Sequence, residues 1–149
     1  GMNVLAFDKF TTEKSIEVKF NEQKAYTFEI NLISFDEILK KSDFITLHVP
    51  AQKTFLIGKK EFEKMKKGSS IINASRGGII DEVELIRNLD NGKIKFAGLD
   101  TFVNEPTPSA SILLHPKISL TPHIGAATFE AQERIGEELA NQICDFYKI

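Results

Sequence analysis

The sequence predicts an α/β fold in which a parallel sheet is flanked by helices. Short apolar runs of strand length alternate with amphipathic stretches of helix length along most of the 149 residues. Helix-capping motifs stand between the runs, where a strand is expected to lead into a helix. With 42% hydrophobic and 27% charged residues, the composition is typical of one soluble domain. We therefore expect residues 1–149 to form a single domain around one core.

Five strands are predicted for the parallel sheet, and their apolar character is typical of strands covered on both faces. They are Asn3–Phe7, Phe44–Val49, Ser70–Asn73, Lys95–Leu99 and Lys117–Leu120. One stretch differs, because apolar residues alternate with polar ones in Ile16–Phe20 and again in Tyr26–Ile30. Together with a turn expected at Asn21–Lys24, this alternation predicts an inserted β-hairpin near residues 15–30.

Two helices are predicted from capping motifs. Ser34 with Glu37 forms a capping box ahead of the first, and Asp81 with Glu84 forms the same motif ahead of a helix that Gly92 ends. Two more helices are predicted from periodicity, one near residues 59–67 and a longer one over residues 128–147. The longer helix has one apolar stripe, formed by Ala131, Ile135, Leu139, Ile143 and Phe146.

Charge and cysteine usage exclude several kinds of function. The formal net charge is −2 and the lysines are scattered among glutamates, so no nucleic-acid partner is expected. A single cysteine, Cys144, cannot form an internal disulfide or a CxxC site, so no metal is expected and a reducing compartment is favoured. No apolar run is long enough for a membrane span, and the N-terminus lacks the pattern of a secretory signal, which makes the cytoplasm the expected location.

Candidate functional residues follow the predicted strands at their carboxyl ends. They are Asp8, His48, Arg76, Asp100 and His123, one at or shortly after the end of each of the five strands. In open α/β sheets, ligands bind in the crevice outside these strand ends. The sequence therefore predicts one site built from five separate elements.

Arg76 lies in the most specific segment, Ile72–Asp81, in which a strand leads into an arginine, two glycines and a capped helix. A guanidinium matches a carboxylate with two parallel hydrogen bonds, which a lysine cannot do. Asp8 stands where an acid accepts hydrogen bonds from the ribose of a dinucleotide, and it would favour NAD over NADP. The competing interpretations are a surface arginine before a helix and a solvated turn aspartate.

His123 is a candidate acid/base, because an imidazole titrates near neutrality and can exchange a proton with a developing alkoxide. Glu105 would orient the imidazole and stabilise its charged form. A lone histidine is more often a packed or surface side chain, and that alternative stays open. His48 is expected to line the cofactor site. His115 is expected to be a loop residue, and Cys144 is expected to pack inertly on the last helix.

Four segments together resemble the signatures of the D-2-hydroxyacid dehydrogenase family, in the same order and with the same separations. They are Leu47–Pro50, Asn73–Asp81, Leu99–Phe102 with Glu105–Pro106, and Thr121–Gly125. The resemblance covers Gly1–Phe7 and Ser34–Ile149, and Thr128–Gln132 is most similar to the branch of the family that acts on D-3-phosphoglycerate.

The resemblance implies a Rossmann-like, doubly wound sheet that binds NAD, in a homodimeric oxidoreductase that transfers hydride to or from C2 of a small 2-hydroxy acid. Arg76 would bind the substrate carboxylate, His123 would be the acid/base, and Glu105 would pair with His123. Asp8 would hold the adenosine ribose, and Asp100 would contact the nicotinamide end. The other residues expected to line the cofactor cleft, together with Arg76 and His123, are His48, Val49, Pro50, Ala74, Ser75 and Gly125.

Two departures from the family pattern limit what is expected of the chain alone. The G-x-G-x-x-G turn, expected just before Gly1, occurs nowhere in the sequence, and the substrate lobe is absent as well. We expect a domain truncated at its N-terminus, with little activity by itself, because the donors for the pyrophosphate are missing. In the family's fold the first strand lies between the two halves of the sheet, so its absence would leave a gap there. A complementing segment, a partner chain or a rearranged sheet would fill this gap.

Two other functions remain open. Transcriptional corepressors that sense a dinucleotide resemble this family, so a binding module is the second interpretation. An α/β domain whose site has no remaining role is the third. Turnover of a 2-hydroxy acid that depends on Arg76 and His123 would favour the enzyme, and partner binding without turnover would favour the module.

Overall fold

After three N-terminal strands, strands and helices alternate along the chain in this computed structural model, which describes residues 1–20 and 24–148. The strands are β1 (Leu5–Ala6), β2 (Ser15–Phe20), β3 (Lys24–Glu29), β4 (Asn31–Leu32), β5 (Phe44–Leu47), β6 (Ser69–Asn73), β7 (Ile94–Leu99) and β8 (Ile118–Leu120). The helices are α1 (Phe35–Lys41), α2 (Lys59–Lys64), α3 (Glu82–Asp90), α4 (Ala110–Leu113) and α5 (Phe129–Tyr147). The predicted α/β class is confirmed.

Strands β5 to β8 form a four-stranded parallel sheet in the order β5-β6-β7-β8. Leu47 lies opposite Asn73, Asn73 opposite Leu99, and Leu99 opposite Leu120. Because each of these residues is the last of its strand, the four carboxyl ends stand in register. The polar residues that follow the strands therefore start from one edge of the sheet.

The N-terminal strands form two separate small sheets. Strand β1 pairs in parallel with β4, and strands β2 and β3 form the predicted antiparallel hairpin, in which Ser15 lies opposite Glu29. The turn predicted at Asn21–Lys24 involves residues 21–23, which lie outside the described part of the chain. Among the described residues, no strand joins β1 to β5, so the expected separation between the two halves of the sheet is present.

The core lies between the four-stranded sheet and the helices α1 to α4. Its buried hydrophobic residues all fall between Ile38 and Ile112. The expectation that the strands are covered on both faces was wrong, since Phe44 is 65% exposed, Ile72 42% and Phe96 52%. The physical reason is that α5, the longest helix, has no buried residue and covers neither face.

The capping motifs are realised to different extents. At α1 the box is complete, because Ser34 Oγ accepts from the Glu37 amide and Glu37 Oε2 accepts from the Ser34 amide, both at 3.3 Å. Asp81 caps α3 by accepting from two backbone amides of its first turn. Glu84 does not return the bond, because the Asp81 amide already donates to Ile57 O at 2.9 Å. The second predicted capping box is therefore only half formed.

Element boundaries differ from the prediction mainly in short elements. Helix α2 ends at Lys64, three residues before the predicted end at position 67. It ends there because the next residue, Met65, takes an extended conformation. Strand β4 and helix α4 were not predicted, and they contain two and four residues. The predicted helix over residues 128–147 is present as α5, with Thr128 as its N-cap. Within the described residues, no helix combines the length and apolarity needed to cross a membrane.

Candidate active site

The turn after β6 carries Arg76 and is shaped by Asn73, the last residue of that strand. Asn73 Nδ2 donates to Arg76 O at 2.9 Å, and Asn73 Oδ1 accepts from the Ser75 hydroxyl at 2.7 Å and the Ser75 amide at 3.1 Å. Asn73 and Ser75 are buried, whereas Arg76 is exposed. Arg76 Nη1 donates to Ser75 O at 2.6 Å, and no carboxylate of the described residues pairs with the guanidinium. The arginine can therefore accept an anionic ligand.

Gly77 brings this turn into direct contact with the loop after β7. A β-carbon at Gly77 would lie 1.8 Å from Phe102 O and 2.5 Å from Phe102 C. Both are backbone atoms, so only glycine fits while the two loops keep their spacing. The Arg76 turn and the loop that carries Glu105 are thus packed together without a side chain between them.

Asp100, buried at the end of β7, binds the loop after β8. Its Oδ1 accepts from the Thr121 hydroxyl at 2.6 Å and the Ile124 amide at 2.9 Å, while Oδ2 accepts from the Gly125 amide at 2.8 Å. Burial alone would raise the pKa of Asp100, but these hydrogen bonds hold it below its usual value. The carboxylate is therefore ionised at neutral pH and fixed between two loops.

His123 and Glu105 form a hydrogen-bonded pair at the same edge of the sheet. His123 Nδ1 lies 2.7 Å from Glu105 Oε2, and Glu105 Oε1 accepts from the Phe102 amide at 2.9 Å. The hydrogen bond from His123 and then that from Phe102 lower the pKa of Glu105. Within the described part of the chain, His123 Nε2 has no hydrogen-bond partner, so this nitrogen can exchange a proton with a ligand.

A cavity of about 450 Å³ adjoins this pair. Its lining is mainly apolar and consists of Phe102, Glu105, Pro106, Pro108, Leu113, Leu120, Thr121, Pro122 and His123. No lysine or arginine of the described residues lines the cavity, so it suits an uncharged and apolar group.

Asp8 lies in a different part of the structure, after β1. Its Oδ1 accepts from the Phe10 amide at 2.6 Å and the Thr11 amide at 3.0 Å, and these two bonds lower its pKa. The residue is exposed, and it borders a second cavity of about 440 Å³ that is also lined by Leu32 and Ile33. A carboxylate beside a cavity of this size can accept hydrogen bonds from ligand hydroxyls.

His48, Val49 and Pro50 follow β5 at its carboxyl end. His48 is exposed and its Nε2 lies 2.9 Å from Thr46 Oγ1 on its own strand. The described contacts connect neither His48 nor Asp8 to the group formed by Arg76, Glu105 and His123, whose loops pack on one another.

Other predicted cleft residues lie closer to that group. A β-carbon at Gly125 would be 2.9 Å from Asp100 Oδ2 and 3.8 Å from Ala74 O, so the turns after β6 and β8 approach each other closely. Sequence reasoning missed the parts played by Asn73 and Thr121. Each is a polar residue at the end of an apolar strand, and that position is the signal that points to them.

His115 and Cys144 lie away from the site. His115, in the loop between α4 and β8 as expected, pairs through Nε2 with Asp90 at 3.2 Å and accepts from the Lys117 amide through Nδ1 at 3.2 Å. These contacts tie the end of α3 to the start of β8, at the opposite end of the sheet. Cys144 is exposed on α5, so its expected inert packing is not found in the described residues.

A family model described as "D-isomer specific 2-hydroxyacid dehydrogenase, NAD binding domain" matches residues 1–125. D-3-phosphoglycerate dehydrogenase of Bacillus subtilis (strain 168) is 38% identical to the chain over 150 aligned positions, which cover 99% of the chain and 27% of that protein. The chain therefore spans about a quarter of the length of this relative.

Other relatives act on different substrates. 4-Methyl-2-oxopentanoate reductase A of Aspergillus oryzae is 46% identical over 103 residues, which cover 68% of the chain and 31% of that protein. Among solved structures, a glyoxylate reductase from Paecilomyes thermophila matches with a TM-score of 0.72 and 38% identity, over 77% of this chain and 36% of that one. The Rossmann-like fold predicted from the sequence is thereby confirmed.

Proposed function

The chain belongs to the D-isomer specific 2-hydroxyacid dehydrogenase family, as its NAD-binding domain, and on that premise we propose that it carries the acid/base centre of an oxidoreductase. The proposed reaction interconverts a 2-hydroxy acid and its 2-oxo acid with NAD. The proposed substrate is D-3-phosphoglycerate, within serine biosynthesis, and the proposed setting is a homodimer in the cytoplasm.

The observation that carries the proposal is the 2.7 Å contact between His123 Nδ1 and Glu105 Oε2. The two residues are 18 positions apart in the sequence, on loops that leave different strands. A carboxylate bonded to Nδ1 orients the imidazole, while Nε2 stays available to a substrate. The adjoining turn holds Arg76, whose guanidinium suits a carboxylate ligand.

These residues divide the work of the proposed reaction. When bound, NADH would supply the hydride to C2 of the 2-oxo acid, and oxidised NAD would accept one from C2 of the 2-hydroxy acid. Arg76 binds the substrate carboxylate and polarises the C2 oxygen. His123 gives a proton from Nε2 to that oxygen during reduction and removes it during oxidation. Glu105 holds the imidazole through Nδ1, so that Nε2 faces the reacting oxygen.

The residues present fit NAD at its two ends. Asp8, exposed beside a cavity of about 440 Å³, suits the adenosine ribose, and its charge would repel the extra phosphate of NADP. At the other end, Asp100 stands beside the turn of Ala74 and Ser75, and His48, Val49 and Pro50 would line the cleft. The sequence contains no G-x-G-x-x-G turn, the motif whose backbone amides usually bind the pyrophosphate.

A second substrate class has support of its own. The cavity beside His123 is mainly apolar, and among the described residues no lysine or arginine lines it to pair with a phosphate. One relative that is 46% identical is a reductase of 4-methyl-2-oxopentanoate, which carries an apolar side chain. We therefore propose, as the second candidate, reduction of an apolar 2-oxo acid by the same groups.

The proposal is tested by NADH oxidation with 3-phosphohydroxypyruvate and 4-methyl-2-oxopentanoate, using the full-length protein to which this sequence belongs. His123→Gln removes the proton donor, and turnover should fall by roughly 10²–10⁴-fold. Arg76→Lys keeps the charge but loses the paired hydrogen bonds, so KM for the 2-oxo acid should rise. His115→Gln, at the other end of the sheet, is the matched control. Turnover of His123→Gln at the wild-type rate would contradict the proposed role of His123 as the acid/base.

A separate measurement tests what the 149 residues do alone. Because the sequence contains no G-x-G-x-x-G turn, we expect NADH fluorescence to indicate only weak binding to this chain. Micromolar affinity would show that the described residues hold the cofactor without a glycine-rich turn.

A further inference from the structure

We propose that Asp100 is a positioning residue that holds the His123 turn in its working conformation through the backbone. The inference rests on the proposed function, in which His123 is the acid/base. It differs from the role expected of Asp100 at the nicotinamide end, because it assigns the residue to the protein's own loop.

The first argument is where the carboxylate directs its oxygens. Three hydrogen bonds, each 2.9 Å or shorter, run to Asp100 from residues on both sides of His123. Thr121 precedes the histidine by two positions, and Ile124 and Gly125 directly follow it. Asp100 is 6% exposed, so water competes little for these bonds.

The second argument is the backbone conformation of His123. Its φ is 55°, in the left-handed region that is unfavourable for a residue with a β-carbon. Such conformations persist where the surrounding structure fixes them. Here Asp100 accepts hydrogen bonds from the two amides that follow His123, and Glu105 pairs with the ring of His123. Loss of the Asp100 bonds would let the turn relax and move the imidazole away from Glu105.

The third argument is the identity of residue 125. Gly125 is not among the glycines with positive φ, so its backbone conformation does not require glycine. Its missing side chain instead allows the close approach, since a β-carbon would lie 2.9 Å from Asp100 Oδ2. Asp100 and Gly125 thus form a matched pair, in which the glycine makes room for the carboxylate that binds its amide.

The primary test is amide hydrogen exchange, measured by NMR on the 149-residue chain. In Asp100→Asn the side chain keeps its shape but presents an NH₂ group to one of the backbone donors. We expect the Ile124 and Gly125 amides to exchange roughly 10- to 100-fold faster, the range that corresponds to losing a hydrogen bond to a charged group. The control is Asp43→Asn, which removes an exposed carboxylate that pairs with Lys66, away from the His123 turn, and should leave both amides unchanged.

A double-mutant cycle tests the pairing with Gly125. Gly125→Ala alone should speed exchange at Ile124, because its β-carbon displaces the carboxylate. In the Asp100→Ala background the same change meets no carboxylate and should have little further effect. Additive effects of the two substitutions would contradict the proposed pair.

The activity readout separates positioning from cofactor binding in the full-length protein. Asp100→Asn should lower kcat together with the protection of the Ile124 amide, while KM for the 2-oxo acid stays within about twofold, because Asp100 acts through the His123 turn and not on the substrate. A rise in KM for NADH with unchanged exchange at Ile124 would assign Asp100 to the cofactor and overturn the proposal.

Two further outcomes remain decisive. If Asp100→Asn does not fold, Thr121→Val removes one of the three donors, and a smaller increase in exchange at Ile124 is expected. Unchanged exchange at Ile124 in Thr121→Val would contradict the proposal. A wild-type protein without turnover would refute the proposed function, yet the exchange results would still report whether Asp100 holds the turn.

Discussion

The two ends of the proposed NAD site are built differently. At the substrate end, Asp100 is buried and joins two loops that leave neighbouring strands. At the ribose end, Asp8 is exposed, and its partners among the described residues are the amides two and three residues further along the chain. The first arrangement depends on tertiary structure, whereas the second is a local turn that a short peptide can form.

The difference follows from what lies beneath each end. The loops of Asp100, Glu105 and His123 leave the four-stranded sheet, under which the buried core is concentrated. Asp8 follows β1, a two-residue strand paired only with β4 among the described strands. The comparison teaches that the groups proposed for proton transfer are fixed by the fold of this chain, while the ribose contact is held by its own loop. Substitutions in the two regions should therefore have unequal effects.

The largest effect should come from truncating a core side chain beneath the substrate end. Ile71, in β6, is fully buried two residues before Asn73, and Ile71→Ala should lower the free energy of unfolding by about 2–5 kcal/mol. Val4→Ala is the matched change next to β1, where the side chain is 67% exposed, and should cost less than about 0.5 kcal/mol. Urea denaturation measures both. Equal losses would mean that the N-terminal strands share the core.

A smaller effect should follow from adding one methyl group at Gly77. The new β-carbon would overlap Phe102 O, so Gly77→Ala should cost about 1–3 kcal/mol and separate the Arg76 turn from the Glu105 loop. Gly136→Ala adds the same group to α5, where nothing lies within 4 Å, and should stabilise the protein by about 0.5–1 kcal/mol. Thermal unfolding of the two variants compares them. A harmless Gly77→Ala would show that the two loops are free to move apart.

The comparison also explains which features could be predicted from the sequence. The strand ends that carry Arg76, Asp100 and His123 follow from apolar runs that are long enough to identify. The contact of Glu105 with His123 was expected from the family resemblance and is present at 2.7 Å. The part played by Asp100 was not foreseen, because its bonds reach residues 21 to 25 positions away and depend on how two loops pack.

Where prediction failed, the cause was the tertiary environment. The capping box at Asp81 is incomplete because its amide donates to Ile57, a contact that no local pattern indicates. Strand β4 was missed because two residues are too few for a periodic signal. Apolar runs such as Phe44–Val49 predicted strands covered on both faces, but periodicity cannot tell whether a helix covers the second face.

A loss of stability smaller than that of Gly77→Ala is expected at the junction between the two regions, where Ser34 is the N-cap of α1. Ser34→Ala removes the hydroxyl that caps the helix and should lower the free energy of unfolding by about 1 kcal/mol. Ser109→Ala is the matched control, because Ser109 stands at the N-cap of α4 without a capping hydrogen bond. That control should cost less than about 0.5 kcal/mol in the same denaturation experiment. Equal losses would show that the Ser34 hydroxyl bond contributes nothing measurable.

The smallest effect should be a pH dependence from the same cap. Hydrogen bonds from Lys41 and then Ser34 lower the pKa of Glu37 from its ordinary 4.5 to about 2. A carboxyl whose pKa is lower in the folded state stabilises that state at pH values above the pKa of the unfolded chain. This contribution is lost as pH falls from about 4.5 towards 2. Glu37→Gln cannot titrate, so its urea midpoint should fall less than that of the wild type over this range. Because Asp8, Asp100 and Glu105 also have lowered pKa values and titrate in both proteins, the difference between the two curves isolates Glu37. Parallel curves would mean that the box at α1 does not hold the charged form of Glu37 in solution.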